Sequence, residues 1–373
     1  MNQITKYRRE FHRYAETGWN EVRTSARIAE ILAGLGAKDI HVGRNAVNIQ
    51  TVKSPIDLSE KTRRANMERA ISQGADPVLV RSTEGYPGVV AVIDTGHPGP
   101  VSALRFDIDC LPYDEKDADG SRAFSEDFSS VNPGCVHACG HDGHTAIGLG
   151  LASDIIKHTD DYRGVIKLLF QPAEETFFGA ASIVDKGFLD DVDHFIAVHL
   201  ALSAQNGHLP SGSIACGIND FLSVRQLDVT FHGRAAHPCG AAQEGRNALL
   251  AACSAALSLH AIAPHEKGLT RVNVGMINGG LCANTIPPEC SLRLEYRGQF
   301  PEISQYLKER VFDILGGTAK TYGLTYTFED YGEVPAARSD SCLVEAVRQA
   351  ASRIPWFNKI YAEGNLGGSD DAS

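Results

Sequence analysis

A chain of 373 residues, 43% of them hydrophobic, carries enough apolar material for real cores and, at roughly 100–200 residues per domain, room for two. Its formal net charge of -11, with no run of like charges, argues against nucleic acid and against anionic membranes as partners. No run of eighteen apolar residues occurs, and the charged opening MNQITKYRREFHRYAETGWNEV lacks the apolar centre of a signal peptide. Nine cysteines, an odd number in a chain too large to need staples, point to reduced thiols and a cytoplasmic location.

In chain order, the segment to about residue 35 reads as helical. Ile4, Tyr7, Phe11 and Tyr14 recur at helical spacing, and a second stripe of Ile28, Ile31, Leu32 and Leu35 ends at Gly36. Residues 51–86 are polar and partly helical in pattern, and look like a surface excursion. Four short apolar runs follow: GVVAVIDTG, PVSALRFDID, GVIKLLFQP and HFIAVHL. Such runs, bounded by Gly, Pro or Asp, are what strands buried on both faces look like. Between the second and third lies a helix, HTAIGLGLASDIIKH. Strand and helix in alternation predict an α/β layer with a mostly parallel sheet flanked by helices.

The pattern changes near residue 221. VRQLDVTFHG, TRVNVGMI and CSLRLEYR alternate apolar with polar, which predicts an antiparallel sheet with one wet face. Helices are expected at 247–261 and 301–322, and a last strand at 324–328. The resulting β-α-β-β-α-β order is ferredoxin-like. The expected division is a first domain of 1–219 and 332–373, with an α+β domain of 220–331 inserted into it. A helix in 334–353 would return the chain to the first domain.

The chemistry collects where the predicted parallel strands end. Asp107 and Asp109 follow SALRF, Glu174 and Glu175 follow VIKLLF, and FIAV runs into His199. Ligands of open α/β sheets bind outside the carboxyl ends of the strands, so these groups should converge. The loop HACGHDGH, residues 137–144, packs three histidines, a cysteine and an aspartate just before a helix, and offers Cys139 and His141 two residues apart. Thiolate, imidazole and carboxylate together suit Zn, Mn, Co or Ni better than Ca or Mg. In a Glu-Glu pair one carboxylate can bind metal while the other serves as a base. Each signal has a bland rival. Cys135, Cys139, His141 and His144 could form a structural zinc knuckle, the glutamates could decorate a helix N-terminus, His199 could be a core histidine, and the aspartates could end strands. Convergence is what favours a metal site.

LRFDIDCLP, HACGHDGH, QPAEE, AVHL and AAHP, in this order, resemble the M20 metallopeptidase family, in its amidohydrolase branch. RREFHRYAE, HDGHTAIGLGLA, GVIKLLFQPAEE, LHAIAPH and RVNVG narrow the resemblance to the aminobenzoyl-glutamate hydrolases. It implies that Cys139, His141, Glu175 and His199 ligate a paired-metal centre, with Glu174 as general acid/base. Asp107 and Asp109 fall where related peptidases carry a ligand His-x-Asp, and here would orient neighbouring groups. The inserted domain would be a dimerisation lid. Its His237 matches a residue that reaches the scissile carbonyl, often across the dimer, while Asn284 and Arg297 match positions that hold the substrate carboxylate. The implied cofactor is two divalent cations per chain, Mn2+ ahead of Zn2+.

The implied reaction is hydrolysis of an N-acyl amino acid, first p-aminobenzoyl-glutamate in folate catabolism, with indoleacetyl-aspartate or another N-acyl amino acid as the alternative. The implied assembly is a homodimer, or a hetero-oligomer with a related sister subunit. One departure stands out. The family carries a further metal-binding histidine beyond a GSED-like segment, and here that segment is GGSDDAS, residues 367–373, where the sequence stops. The expectation is a fragment of a longer protein or a truncation lacking the end of the first domain. A rival of another class is therefore an inactive form or a non-catalytic, partner-binding subunit. Metal content separates the two.

Overall fold

The computed structural model describes residues 1–52, 57–117, 120–176, 178–200, 203–204, 207–365 and 368–373. Residues 53–56 of the polar excursion and Gly367 of the GGSDDAS segment lie outside the described residues. The chain divides into two compact units, Met1–Ser211 and, apart from the last two residues, Gly212–Asp371.

The first unit opens with α1 (Gln3–Arg13) and α2 (Val22–Leu35), then β1 (Asp39–Val42), α3 (Glu60–Ser72), α4 (Pro77–Ser82), β2 (Val89–Asp94) and β3 (Val101–Asp107). The short α5 (Arg122–Ser125), the long α6 (His141–Lys157), β4 (Val165–Gln171), α7 (Gly179–Val184), β5 (His194–Ala197) and the two-residue strands β6 (Ser203–Ala204) and β7 (Gly207–His208) complete it. The helical opening is broken between α1 and α2. The buried Glu16 side chain accepts from the backbone N–H groups of Arg23 (3.3 Å) and Thr24 (2.9 Å), doing for the start of α2 what a local cap does elsewhere.

The five-stranded sheet has the order β1-β2-β4-β3-β5. β3, β4 and β5 are parallel, with Leu104 beside Leu168 and Ile196, while β2 is antiparallel to both β1 and β4. The reversal of β2 follows from the six residues, 95–100, that join it to β3. A parallel neighbour needs a crossover of a dozen or more residues. β2 and β3 therefore run in opposite directions, on either side of β4.

Both faces of this sheet are covered, which explains the continuous apolar runs. Phe106, Ile166, Leu168 and Phe170 pack with Phe11, Ile28, Leu32, Leu149 and Ile155 from α1, α2 and α6. Val90, Ala103 and Leu169 pack on the other face with Trp19, Val47, Phe178 and Ile183. The polar excursion has a small core of its own, Ala70, Ala75 and Val80, closed against Val22 and Ala26 of α2. Gly148 lets α6 lie flat on the sheet, because a Cβ there would meet Phe106 and Phe170 at 2.7 Å each. Both rings are fully buried and cannot retreat. Gly148→Val is expected to cost about 2–3 kcal/mol, read from the midpoint of urea unfolding, and an unchanged midpoint would contradict this packing.

The second unit begins with β8 (Ser213–Ala215) and β9 (Ser223–His232), followed by α8 (Ala248–His260), β10 (Thr270–Gly279), β11 (Glu289–Gly298), α9 (Pro301–Tyr322), β12 (Thr325–Val334), α10 (Ser341–Ser352) and β13 (Lys359–Tyr361). Its four-stranded sheet, β10-β11-β9-β12, is antiparallel throughout, in the ferredoxin-like order. Leu227, Val229, Phe231, Leu292, Leu294 and Tyr296 face α8 and α9. Alanines 248, 251, 252 and 255 give α8 a flat side for this contact. The opposite face is polar, with Arg293 forked onto Asp228 at 2.6 Å through both nitrogens. β12 runs six residues further than the alternation suggests. Segments 213–221 and 337–364 pair with each other, β13 lying parallel to β8 with further bridges Ile218–Gly364 and Phe221–Ala337. The expected division places residues 213–219 and 337–364 in the first domain. In the structure they pack as part of the second unit.

Candidate metal centre

The three parallel strands present their carboxyl ends to one edge of the sheet. Asp107 closes β3, Asp109 follows it, Glu174 and Glu175 lie three and four residues past β4, and His199 lies two past β5. The fourth contribution comes from the start of α6. Gly140 takes φ +96, a left-handed conformation natural to glycine, and turns the chain sharply between Cys139 and His141.

His141 stands at the centre and is fully buried. Its Nδ1 donates to the carbonyl oxygen of Asp109 (2.9 Å) and to its Oδ1 (3.2 Å). Its other nitrogen, Nε2, faces the carboxylates of Glu174 (3.9 Å) and Glu175 (4.0 Å). It has no hydrogen-bond partner among the described residues. A buried, unpartnered imidazole nitrogen among acidic groups is what a cation ligand looks like before the cation is added. Cys139 Sγ and the ring nitrogens of His141 and His199 lie within 4.8 Å of one another, and so do His141, Glu174 and Glu175. The two groups share His141. His199 Nε2 is 3.5 Å from Cys139 Sγ, and its Nδ1 donates to the carbonyl of Leu200 at 2.6 Å.

Electrostatics support the same reading. Burial, reinforced by Asp109, pushes the Glu175 carboxyl up to about 7, a penalty that a neighbouring cation would remove. Burial also opposes ionisation of Asp107, but Arg105 and then His141 and His144 outweigh it and hold the carboxyl well below the usual range. Glu174 is 6% exposed and Asp109 fully buried, so neither is strand-end decoration.

One arrangement escaped the sequence. Arg105 donates to Asp107 Oδ2 at 2.7 Å and to Gln171 Oε1 at 2.6 Å. Asp107 Oδ1 accepts from His144 Nδ1, and His144 Nε2 accepts the backbone N–H of Leu200 at 2.8 Å. The His144 ring also stacks on His141, with centroids 5.3 Å apart, and meets His199 edge-on at 4.9 Å. His144 thus braces both histidines, and with both nitrogens engaged it makes no zinc knuckle with Cys135. The available signal was its position three residues after His141, on the same face of α6. His137, the first histidine of the motif, is buried with neither ring nitrogen bonded to a described residue, and burial pushes it down to about 4, so the ring is neutral.

A model of peptidase family M20/M25/M40 matches residues 103–373. The chain belongs to this family. Among its M20/M25/M40 relatives, the indole-3-acetyl-aspartic acid hydrolase of Enterobacter agglomerans is 43% identical, over all of this chain and 84% of the relative. A subunit of the p-aminobenzoyl-glutamate hydrolase of Escherichia coli K12 is 40% identical, with the same coverage of 100% and 84%. The crystal structure of an aminobenzoyl-glutamate utilization protein from Klebsiella pneumoniae superposes with a TM-score of 0.80 at 38% identity, covering 99% of this chain and 86% of that one. As an M20/M25/M40 member with amidohydrolase relatives, the protein is a metal-dependent hydrolase.

Three further residues singled out by resemblance to M20 lie in the second unit. The Ala236–Ile286 bridge brings His237 and Asn284 to one end of it. His237 Nδ1 accepts the backbone N–H groups of Cys239 (3.2 Å) and Gly240 (3.1 Å), and Asn284 Oδ1 accepts from Cys282. Arg297 stands at the far end of β11, roughly 25 Å of strand away from the Asn284 end. There it forks onto Glu295 at 2.9 and 3.1 Å. The structure joins the first two of these residues and separates the third from them.

Proposed function

We propose that this chain hydrolyses the amide of an N-acyl amino acid with an aromatic acyl group and an acidic amino acid, p-aminobenzoyl-glutamate first, giving p-aminobenzoate and glutamate. The observation that carries the reading is the unpartnered His141 Nε2, facing Glu174 and Glu175, with Cys139 and His199 beside it. In this reading Cys139, His141, Glu175 and His199 hold two divalent cations, Mn2+ ahead of Zn2+, and Asp107 and Asp109 orient the histidines. Bound there, the cations supply Lewis-acid activation of the scissile carbonyl and of water. Glu174 takes the proton of the attacking water and returns it to the leaving amine nitrogen as the C–N bond breaks. His237 donates to the carbonyl oxygen as negative charge develops there. Asn284 and Arg297 read the substrate carboxylate, Arg297 by exchanging Glu295 for it. The separation of Arg297 from His237 and Asn284 suits a dimer in which two copies contribute different members of the set.

The Escherichia coli relative is named as one subunit of its hydrolase, which supports the alternative assembly, a hetero-oligomer with a sister subunit. The described cysteines are all free, in keeping with a cytoplasmic protein acting in folate catabolism. No helix among the described residues is long and apolar enough to cross a membrane. Indole-3-acetyl-aspartate is the second reading, favoured by the relative at 43% identity. A substrate panel decides. A kcat/KM at least tenfold higher for p-aminobenzoyl-glutamate is the expected result, and the reverse ranking would install the second reading. Cation binding has its own check. Mn2+ at about one hundred times its Kd is expected to stabilise the fold by ~2.7 kcal/mol, reversed by chelator, and a flat thermal midpoint would count against the centre.

A further inference from the structure

The opening motif FHRYAETGWNE plays no part in the chemistry just described, yet its last residue reaches the metal-site loop. Glu21 is fully buried, and its Oε1 accepts the backbone N–H of Ala173 at 2.7 Å. Ala173 is the residue immediately before Glu174 and Glu175, and it holds φ +57. A left-handed conformation is unfavourable for a residue with a Cβ, and persists only where the surroundings impose it. Here three contacts do so. Glu21 holds the Ala173 amide. Gly18 lies so close that a Cβ on it would stand 3.2 Å from Ala173 Cα. Asp109 Oδ2 accepts the backbone N–H of Glu175 at 3.1 Å. The turn carrying both carboxylates is thus pinned on either side of Glu174, and one pin comes from a segment about 150 residues earlier in the chain.

We propose that Glu21 is a positioning residue of the metal site, holding Ala173 left-handed so that Glu174 and Glu175 face His141. The proposal rests on the ligand assignment made above. Burial, with Asp109 adding to it, raises the Glu21 carboxyl well above the usual range, toward the neutral acid. A neutral glutamine can therefore replace it and still accept the Ala173 N–H. Leucine fills the space without an acceptor, and aspartate is one methylene too short to reach.

The test is Mn2+ affinity, measured by titration calorimetry on the full chain, with thermal midpoints alongside. Glu21→Gln is expected to bind within about threefold of the unaltered chain. Glu21→Leu is expected to lose roughly 10–100-fold, the usual consequence of removing a group that orients ligands. Adding Ala173→Gly to Glu21→Leu should recover most of the loss, because glycine takes a positive φ unaided. A purely structural role for Glu21 would not give that rescue. Should Glu21→Leu fail to fold, Glu21→Asp with and without Ala173→Gly makes the same comparison. The proposal is overturned if Glu21→Leu, or Glu21→Asp in its place, binds normally while Glu175→Ala does not, if Glu21→Gln is as damaging as Glu21→Leu, or if glycine at 173 recovers nothing. If Glu175→Ala binds Mn2+ as tightly as the unaltered chain, the ligand assignment itself falls, and the role of Glu21 with it.

Discussion

Glu174→Gln is expected to reduce turnover of p-aminobenzoyl-glutamate by roughly 10²–10⁴-fold while Mn2+ affinity stays within a few-fold. The amide keeps the shape and the acceptor oxygen of the carboxylate but cannot take a proton from water. Glu174 is nearly dry, 6% exposed, with Oε2 3.9 Å from His141 Nε2. Glu175→Gln should behave differently, losing metal affinity and turnover together, because a neutral amide is a poor replacement for an anionic ligand. Steady-state kinetics paired with metal titration separates the two. Equal metal loss in both variants would move Glu174 from base to ligand, and unimpaired turnover in Glu174→Gln would remove it from the mechanism.

The second large effect is on stability. Arg105→Met should destabilise the fold by about 3–5 kcal/mol, because it leaves the fully buried carboxylate of Asp107 without its strongest counter-charge. Arg105 is itself only 2% exposed and ties Asp107 to Gln171, so the loss spreads through one buried network. Asp107→Asn combined with Arg105→Met should regain part of the loss, since an uncharged amide needs no counter-ion. Chemical denaturation of the single and double variants makes the comparison. A single variant as stable as the parent would show that Asp107 draws its support from the histidines instead. The same substitution loosens His144, whose Nδ1 bonds to Asp107 and whose Nε2 receives the Leu200 amide, so a weaker grip on His199 should accompany the lower stability.

The sequence by itself determined most of the elements, because burial leaves a local imprint. Strands covered on both faces read as unbroken apolar runs around Leu104, Leu168 and Ile196, and strands covered on one face alternate, as Leu227, Val229 and Phe231 do. It also pointed to where these groups gather, since topology puts the ends of parallel strands on one edge, and Asp109, Glu174, Glu175 and His199 occur at such ends. What it could not determine are the pairings between distant segments. The reversal of β2 depends on which side of β4 it joins, and β1, four residues beside a reversed neighbour, carries too short a pattern to register.

The break between α1 and α2 depends on Glu16 reaching forward to cap the second helix. The role of His144 depends on Asp107 and Leu200, 37 residues before it and 56 after it. The distance between Arg297 and Asn284 appears only once β11 is laid out at full length in its sheet. Local pattern records whether a residue is buried, because that is a property of the residue and its near neighbours. Which group it meets inside is settled by contacts between remote parts of the chain, and these form only when the tertiary structure closes.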